Sequence, residues 1–205
     1  MIRSIITLFA IVSMVVPTFS QTSNQSTCNL TITQSPAVRG IRLGMSAEEV
    51  FALFPGGAES PENKNAMLSA QVPPNYGVAS LYFYLWAYPP PSKERFSGID
   101  SISITLFDGR ATKISVAYTG YPKGPSWFNV DDFITKLSEA FALPGAKDWL
   151  QSDQFSKTLK CSGFEIRASN RNRNGSMSLS NNSYTETVRQ RAVADEERRR
   201  REFKP

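Results

Sequence analysis

The segment Arg39-Gly40-Ile41-Arg42-Leu43-Gly44-Met45-Ser46-Ala47-Glu48-Glu49-Val50-Phe51-Ala52-Leu53-Phe54-Pro55-Gly56 joins a short extended run to a helix with both ends marked by its residues. Ser46 and Glu49 stand three apart, the spacing of a capping box. The serine oxygen accepts from the amide of Glu49, and the glutamate reaches back to the amide of Ser46. Met45 and Val50 occupy the two staple positions around that cap. Ala47, Val50, Phe51 and Phe54 recur at i, i+3, i+4 and i+7, an apolar stripe that faces a core. The spacing predicts a helix over Ala47–Phe54, stopped by Pro55-Gly56. Glu48 and Glu49 sit where the helix dipole favours negative charge, so capping accounts for them without a catalytic role.

Beyond that helix, residues 56–77 read as a loop rich in Gly, Pro, Asn and Ser, with one helical turn near Ala66–Ala70. The period then switches to two. Val78–Tyr88 reads as a long strand ended by Pro89-Pro90-Pro91, with Leu81, Phe83 and Leu85 on one side and Tyr82, Tyr84, Trp86 and Tyr88 on the other. Ile99–Phe107 and Arg110–Thr119 form a second and third strand about the turn signal Asp108-Gly109. A second helix begins at Asn129, with Asp131 and Asp132 in its first turn, a Phe128/Phe133 staple, and Val130, Phe133, Ile134, Leu137 and Phe141 as its buried stripe. Its ending, Phe141-Ala142-Leu143-Pro144-Gly145, echoes Phe51-Ala52-Leu53-Phe54-Pro55-Gly56. Leu159–Ala168 reads as one strand bulged at Gly163, followed by a short strand over Met177–Asn181, and Asn29–Thr33 as a short N-terminal strand. The order of elements predicts an α+β, two-layer domain over residues 21–183. Its antiparallel sheet carries helices on one face, with a degenerate helix-then-strands repeat over 37–120 and 126–182.

The N-terminus has the composition of a secretory signal: basic Met1-Ile2-Arg3, an apolar run over Ile5–Val16, and Thr18-Phe19-Ser20 before a cut after Ser20. That apolar run is short of the roughly 20 residues a membrane span needs, so no transmembrane segment is expected after cleavage. Arg3 is the leader's single charge, and its loss lowers the net charge of +5 by one. Much of the remaining excess lies in the tail, residues 184–205, which is expected to be a charged helix or disordered. There Asp195, Glu196 and Glu197 precede Arg199, Arg200 and Arg201 by four, a spacing that supports a solvated helix through ion pairs. The run Arg198–Arg201 is a candidate for weak contact with an anionic surface, tempered by those acids. The chain has two cysteines, Cys28 and Cys161. An even count in an oxidising compartment favours a disulfide.

The residues Gly40-Ile41-Arg42-Leu43-Gly44-Met45-Ser46, followed by Glu49-Val50, resemble the start of the repeat in small envelope lipoproteins that assist outer-membrane barrel assembly. The order of elements is also similar to that of the secreted β-lactamase inhibitory proteins, built as tandem helix-then-sheet repeats. The resemblance covers about a dozen residues. It implies a secreted or periplasmic bacterial protein acting through its sheet and loops. The lipidated cysteine of the barrel-assembly group is missing, because Cys28 lies well beyond the apolar run. No contact residue carries over.

Ordinary catalytic equipment is largely absent from the chain. It has no histidine, which removes Ser-His-Asp and Cys-His pairs and the usual zinc site. It lacks a nucleophile elbow, a phosphate-cradling glycine loop, a dinucleotide fingerprint and calcium-loop spacing, so neither cofactor nor metal is expected. Two carboxylates acting on a polysaccharide remain compatible with the composition. The constellation with binding potential is Tyr82, Tyr84, Trp86 and Tyr88. Exposed, such a stripe anchors protein partners or stacks on sugars; the competing expectation is a central strand covered on both faces. Sequons at Asn24, Asn29, Asn174 and Asn181 would mark surface positions in a source that glycosylates. The expectation is a secreted or periplasmic, non-enzymatic module that binds a protein or envelope component through its sheet. A carbohydrate-active enzyme and a structural envelope protein are the alternatives, and nucleic acid is not an expected partner.

Overall fold

A computed structural model describes residues 28–119 and 124–203. The expected leader over 1–20 lies outside the described residues, as do the sequon at Asn24 and the loop positions 120–123. Seven antiparallel strands make one sheet: β1 (Val78–Tyr84), β2 (Ile99–Phe107), β3 (Arg110–Tyr118), β4 (Leu150–Asp153), β5 (Ser156–Cys161), β6 (Phe164–Arg171) and β7 (Asn174–Ser180). They lie in the order β1-β2-β3-β7-β6-β5-β4, so two meanders meet through their last strands. The helices are α1 (Ala47–Ala52), α2 (Pro61–Ser69), α3 (Pro90–Arg95), α4 (Val130–Phe141) and α5 (Thr185–Glu202). This is an α+β fold.

Alternation explains the two faces. Leu81, Phe83, Ile102, Ile104, Ile114, Val116, Leu179 and Ile166 are all buried on one side of the sheet. On that side Phe54 stacks on Phe83 at 3.9 Å and on Phe96 at 4.8 Å. Phe133 of α4 edges against Tyr118 and presses on Gly175 of β7, where a Cβ would lie only 2.5–2.8 Å from its ring.

The opening segment folds as its residues dictate. Ser46 Oγ accepts from Glu49 N at 3.2 Å, and Glu49 Oε2 accepts from Ser46 N at 2.7 Å. The segment then docks on the β2–β3 hairpin through Gly44 N to Ala111 O, Ala111 N to Met45 O and Ala47 N to Gly109 O. The hairpin turns through Asp108 and Gly109, both at positive φ, as the Asp-Gly signal requires. The cysteines are bonded, Cys28 to Cys161, with Cα atoms 4.7 Å apart across 133 residues of chain.

Several boundaries differ from the sequence expectation. α1 stops at Ala52 rather than Phe54, with Leu53 as its C-cap. The 56–77 loop contains α2, capped by Ser60 and begun by Pro61, without an apolar stripe to announce it. The Leu159–Ala168 strand is two strands: Gly163, at φ +88°, closes a tight turn rather than a bulge, and Cys161 pairs with Phe164 across it. β4 had no counterpart among the expected strands, and Asn29–Thr33 contributes a single bridge from Thr31 to Ser162 and a 3-10 turn instead of a strand. The Phe128/Phe133 staple does not form. Phe128 is 84% exposed, and Trp127 takes the place beside Phe133, with rings 5.4 Å apart.

Candidate functional site on the open sheet face

The face turned away from α1 and α4 is paved by the alternate residues of five adjoining strands. Strand register sets them in rows: Tyr84, Ser101, Ala117, Ser176 and Ser169; then Tyr82, Ser103, Ser115, Ser178 and Arg167; then Ser80, Thr105, Lys113, Ser180 and Glu165. Small hydroxyls therefore floor a shallow depression of about 350 Å³, with Lys113 and Arg167 beside them. Ser169 and Ser176 bond to each other at 2.7 Å.

The aromatic residues stand at the β1 margin of this floor. Tyr82 is 50% exposed, Tyr84 49% and Trp86 75%. Trp86 is carried not by the strand but by a 3-10 turn, Leu85–Ala87, and its ring lies 6.3 Å from that of Tyr84. Tyr88 departs from the group. Beyond that turn its ring faces Phe54 at 5.9 Å and Phe83 at 6.4 Å, and burial, helped by Glu62, raises its pKa. The period-two reading failed here because β1 ends four residues early, at Tyr84, where the chain enters the 3-10 turn. Three of the four expected residues are thus together, and Tyr88 belongs to the helix side.

Tyr82 is positioned by an unexpected residue. β1 is an edge strand, so its outward peptide groups need partners. Fully buried Asn63 of α2 supplies them: its Oδ1 accepts from Tyr82 N at 2.8 Å, and its Nδ2 donates to Tyr82 O at 3.2 Å and to Gly57 O at 2.9 Å.

At the opposite margin, Asp153 receives hydrogen bonds from the Ser156 hydroxyl, the Phe155 amide and Arg167. These hold its carboxyl below the usual range. Asp108, Glu186 and Asp195 are likewise displaced downward, each chiefly by a hydrogen-bonded arginine. Among the described residues, no group of three or more His, Cys, Asp or Glu side chains is placed to hold a metal ion. The serines of β7 were legible in principle, since Ser176, Ser178 and Ser180 alternate with Met177 and Leu179.

Fold and face together define an open-faced α+β sheet protein, one sheet side packed under helices and the other open over its serine rows, with Tyr184 stacked on Phe107 at one end. Compared with family models, curated proteins and solved structures, the chain matches none. The disulfide, with no helix among the described residues long and apolar enough to cross a membrane, is compatible with a secreted or periplasmic protein.

Proposed function

We propose that the protein is a secreted or periplasmic, non-enzymatic module that binds a protein partner through the open sheet face. The observation that carries this reading is the exposure of Tyr82, Tyr84 and Trp86 beside a floor of small hydroxyls. Large amphipathic rings next to a flat, hydrogen-bonding surface give a partner both anchors and orientation. The resemblance at Gly40–Val50 points the same way, and the meeting of β3 with β7 supports a tandem origin for the halves 37–120 and 126–182.

A pull-down from an extract of the source organism, comparing the wild-type protein with Tyr84→Ala/Trp86→Ala, tests the assignment. A partner retained by the wild type and lost by the variant supports it. Equal retention by both removes the aromatic margin, and turnover of a polysaccharide in a hydrolysis panel replaces binding with catalysis.

A further inference from the structure

On the helix-covered side of the sheet, away from the tyrosines of β1, lies a cleft of about 430 Å³. It opens between α4, the Val38–Ile41 turn and the paired ends of β2 and β3 at Ile99 and Tyr118. Trp127, Phe133, Leu137 and Phe141 supply much of its apolar wall. Among the described residues its lining holds two cations, Arg39 and Lys136, and no carboxylate. The volume falls in the range of small-molecule sites, which are typically apolar with a few placed polar groups.

Three details give the cleft a chemical preference. Arg39 is held at φ +52° in a two-residue turn with Gly40, closed by reciprocal Val38 and Ile41 amide–carbonyl bonds of 2.9 and 3.0 Å. A long side chain at positive φ is strained, and such strain gathers at functional positions. Its guanidinium gives one 3.3 Å bond to Ser97 O, and its other donors have no partner among the described residues. Tyr118, pushed up to about 12 by burial, keeps its hydroxyl as a neutral donor, and Arg39 lies close enough for its charge to act on that group. Among the described residues Lys136 is tied only to Glu139, an exposed pair on the same helix that yields at little cost.

We propose that this cleft binds a small monocarboxylate with an apolar body, the body against the aromatic wall and the carboxylate toward Arg39 and Lys136. Apolar walls alone would accept any greasy molecule. Arg39, with no carboxylate among the described lining residues, favours an anion over an amine, and Lys136 adds to that preference once it leaves Glu139. Arg39 is the specificity residue, because its guanidinium can grip a carboxylate with two parallel bonds. This site is independent of the sheet face, so either assignment stands if the other falls.

Titration calorimetry on the full chain tests the proposal with 2-naphthoate and decanoate as probes, and 2-naphthylmethanol and decanol as uncharged counterparts. At least one carboxylate binds the wild type, about tenfold or more tighter than its alcohol, as one charge-assisted contact allows. Arg39→Gly relieves the strained backbone, so its thermal midpoint holds or rises. The same variant weakens the carboxylate about tenfold and leaves the alcohol nearly unchanged. Ala140→Trp fills the mouth from an exposed position and removes binding of both. Equal affinity for acid and alcohol, no effect of either substitution, or no binding of either carboxylate to the wild type overturns the proposal.

Discussion

Asn63 and Gly175 show how much rests on residues that composition would pass over. Asn63 makes three hydrogen bonds to backbone from a fully buried position. Asn63→Ala strands the Tyr82 amide and two carbonyls, and each unsatisfied buried group costs about 1–3 kcal/mol. Urea unfolding of the variant is expected to show a loss within or above that range. Gly175 admits the Phe133 ring where a methyl would overlap it. Gly175→Ala is expected to destabilise by about 1–3 kcal/mol, read as a lowered thermal midpoint, because a packed core resists insertion. Neither role was legible in the sequence. An asparagine in a polar helix looks solvated, and a glycine after Asn174 looks like a turn residue, until the fold brings α2 to β1 and α4 to β7.

The first and last helices among the described residues are stabilised by different means. α1 is begun by its capping box and buries Val50, so Ser46→Ala should cost about 1 kcal/mol in equilibrium unfolding. α5 has no buried residue and is docked by polar and aromatic contacts. Arg191 grips Asp108 with two 2.7 Å bonds, donates to Tyr76 O and lies 4.9 Å from the centre of the Phe107 ring; Tyr76 donates to Asp195. Asp108 and Asp195 both have folded pKa values below the ordinary one of about 4. A depressed carboxylate stabilises the docked state above its undocked pKa, and that contribution fades as pH falls toward the folded value. Protection of α5 amides against hydrogen exchange is therefore expected to decline from about pH 5 downward. Asp108→Asn should lower that protection already at neutral pH. The charge pattern foretold a solvated helix, but its seat was hidden, because Asp108 is already explained as a turn residue.

For the molecule as a whole, the periodic and punctuated parts were readable: the capped α1, the Asp-Gly hairpin, the stripe of α4 and a bonded cysteine pair. What escaped was set by long-range packing. Tyr88 turns inward because Phe54 and Phe83 await it, and the Arg39 cleft joins four separate segments with no common spacing. The disulfide fastens the N-terminal segment, where Cys28 N also donates to Lys160 O and Ser162 N to Leu30 O. Replacing both cysteines with serine is expected to lower stability by up to about 4–5 kcal/mol in calorimetric or denaturant unfolding, the chain-entropy value for so long a loop.

The side-chain amide on Tyr82 also bears on how the protein behaves in a crowd. Pleated edges with idle peptide groups invite a neighbour to zip on, and chains that do so grow into fibres. Here one flank is plugged by Asn63, and the other, β4, is four residues long with an irregular register. One buried amide thus closes the flank of the sheet at Tyr82.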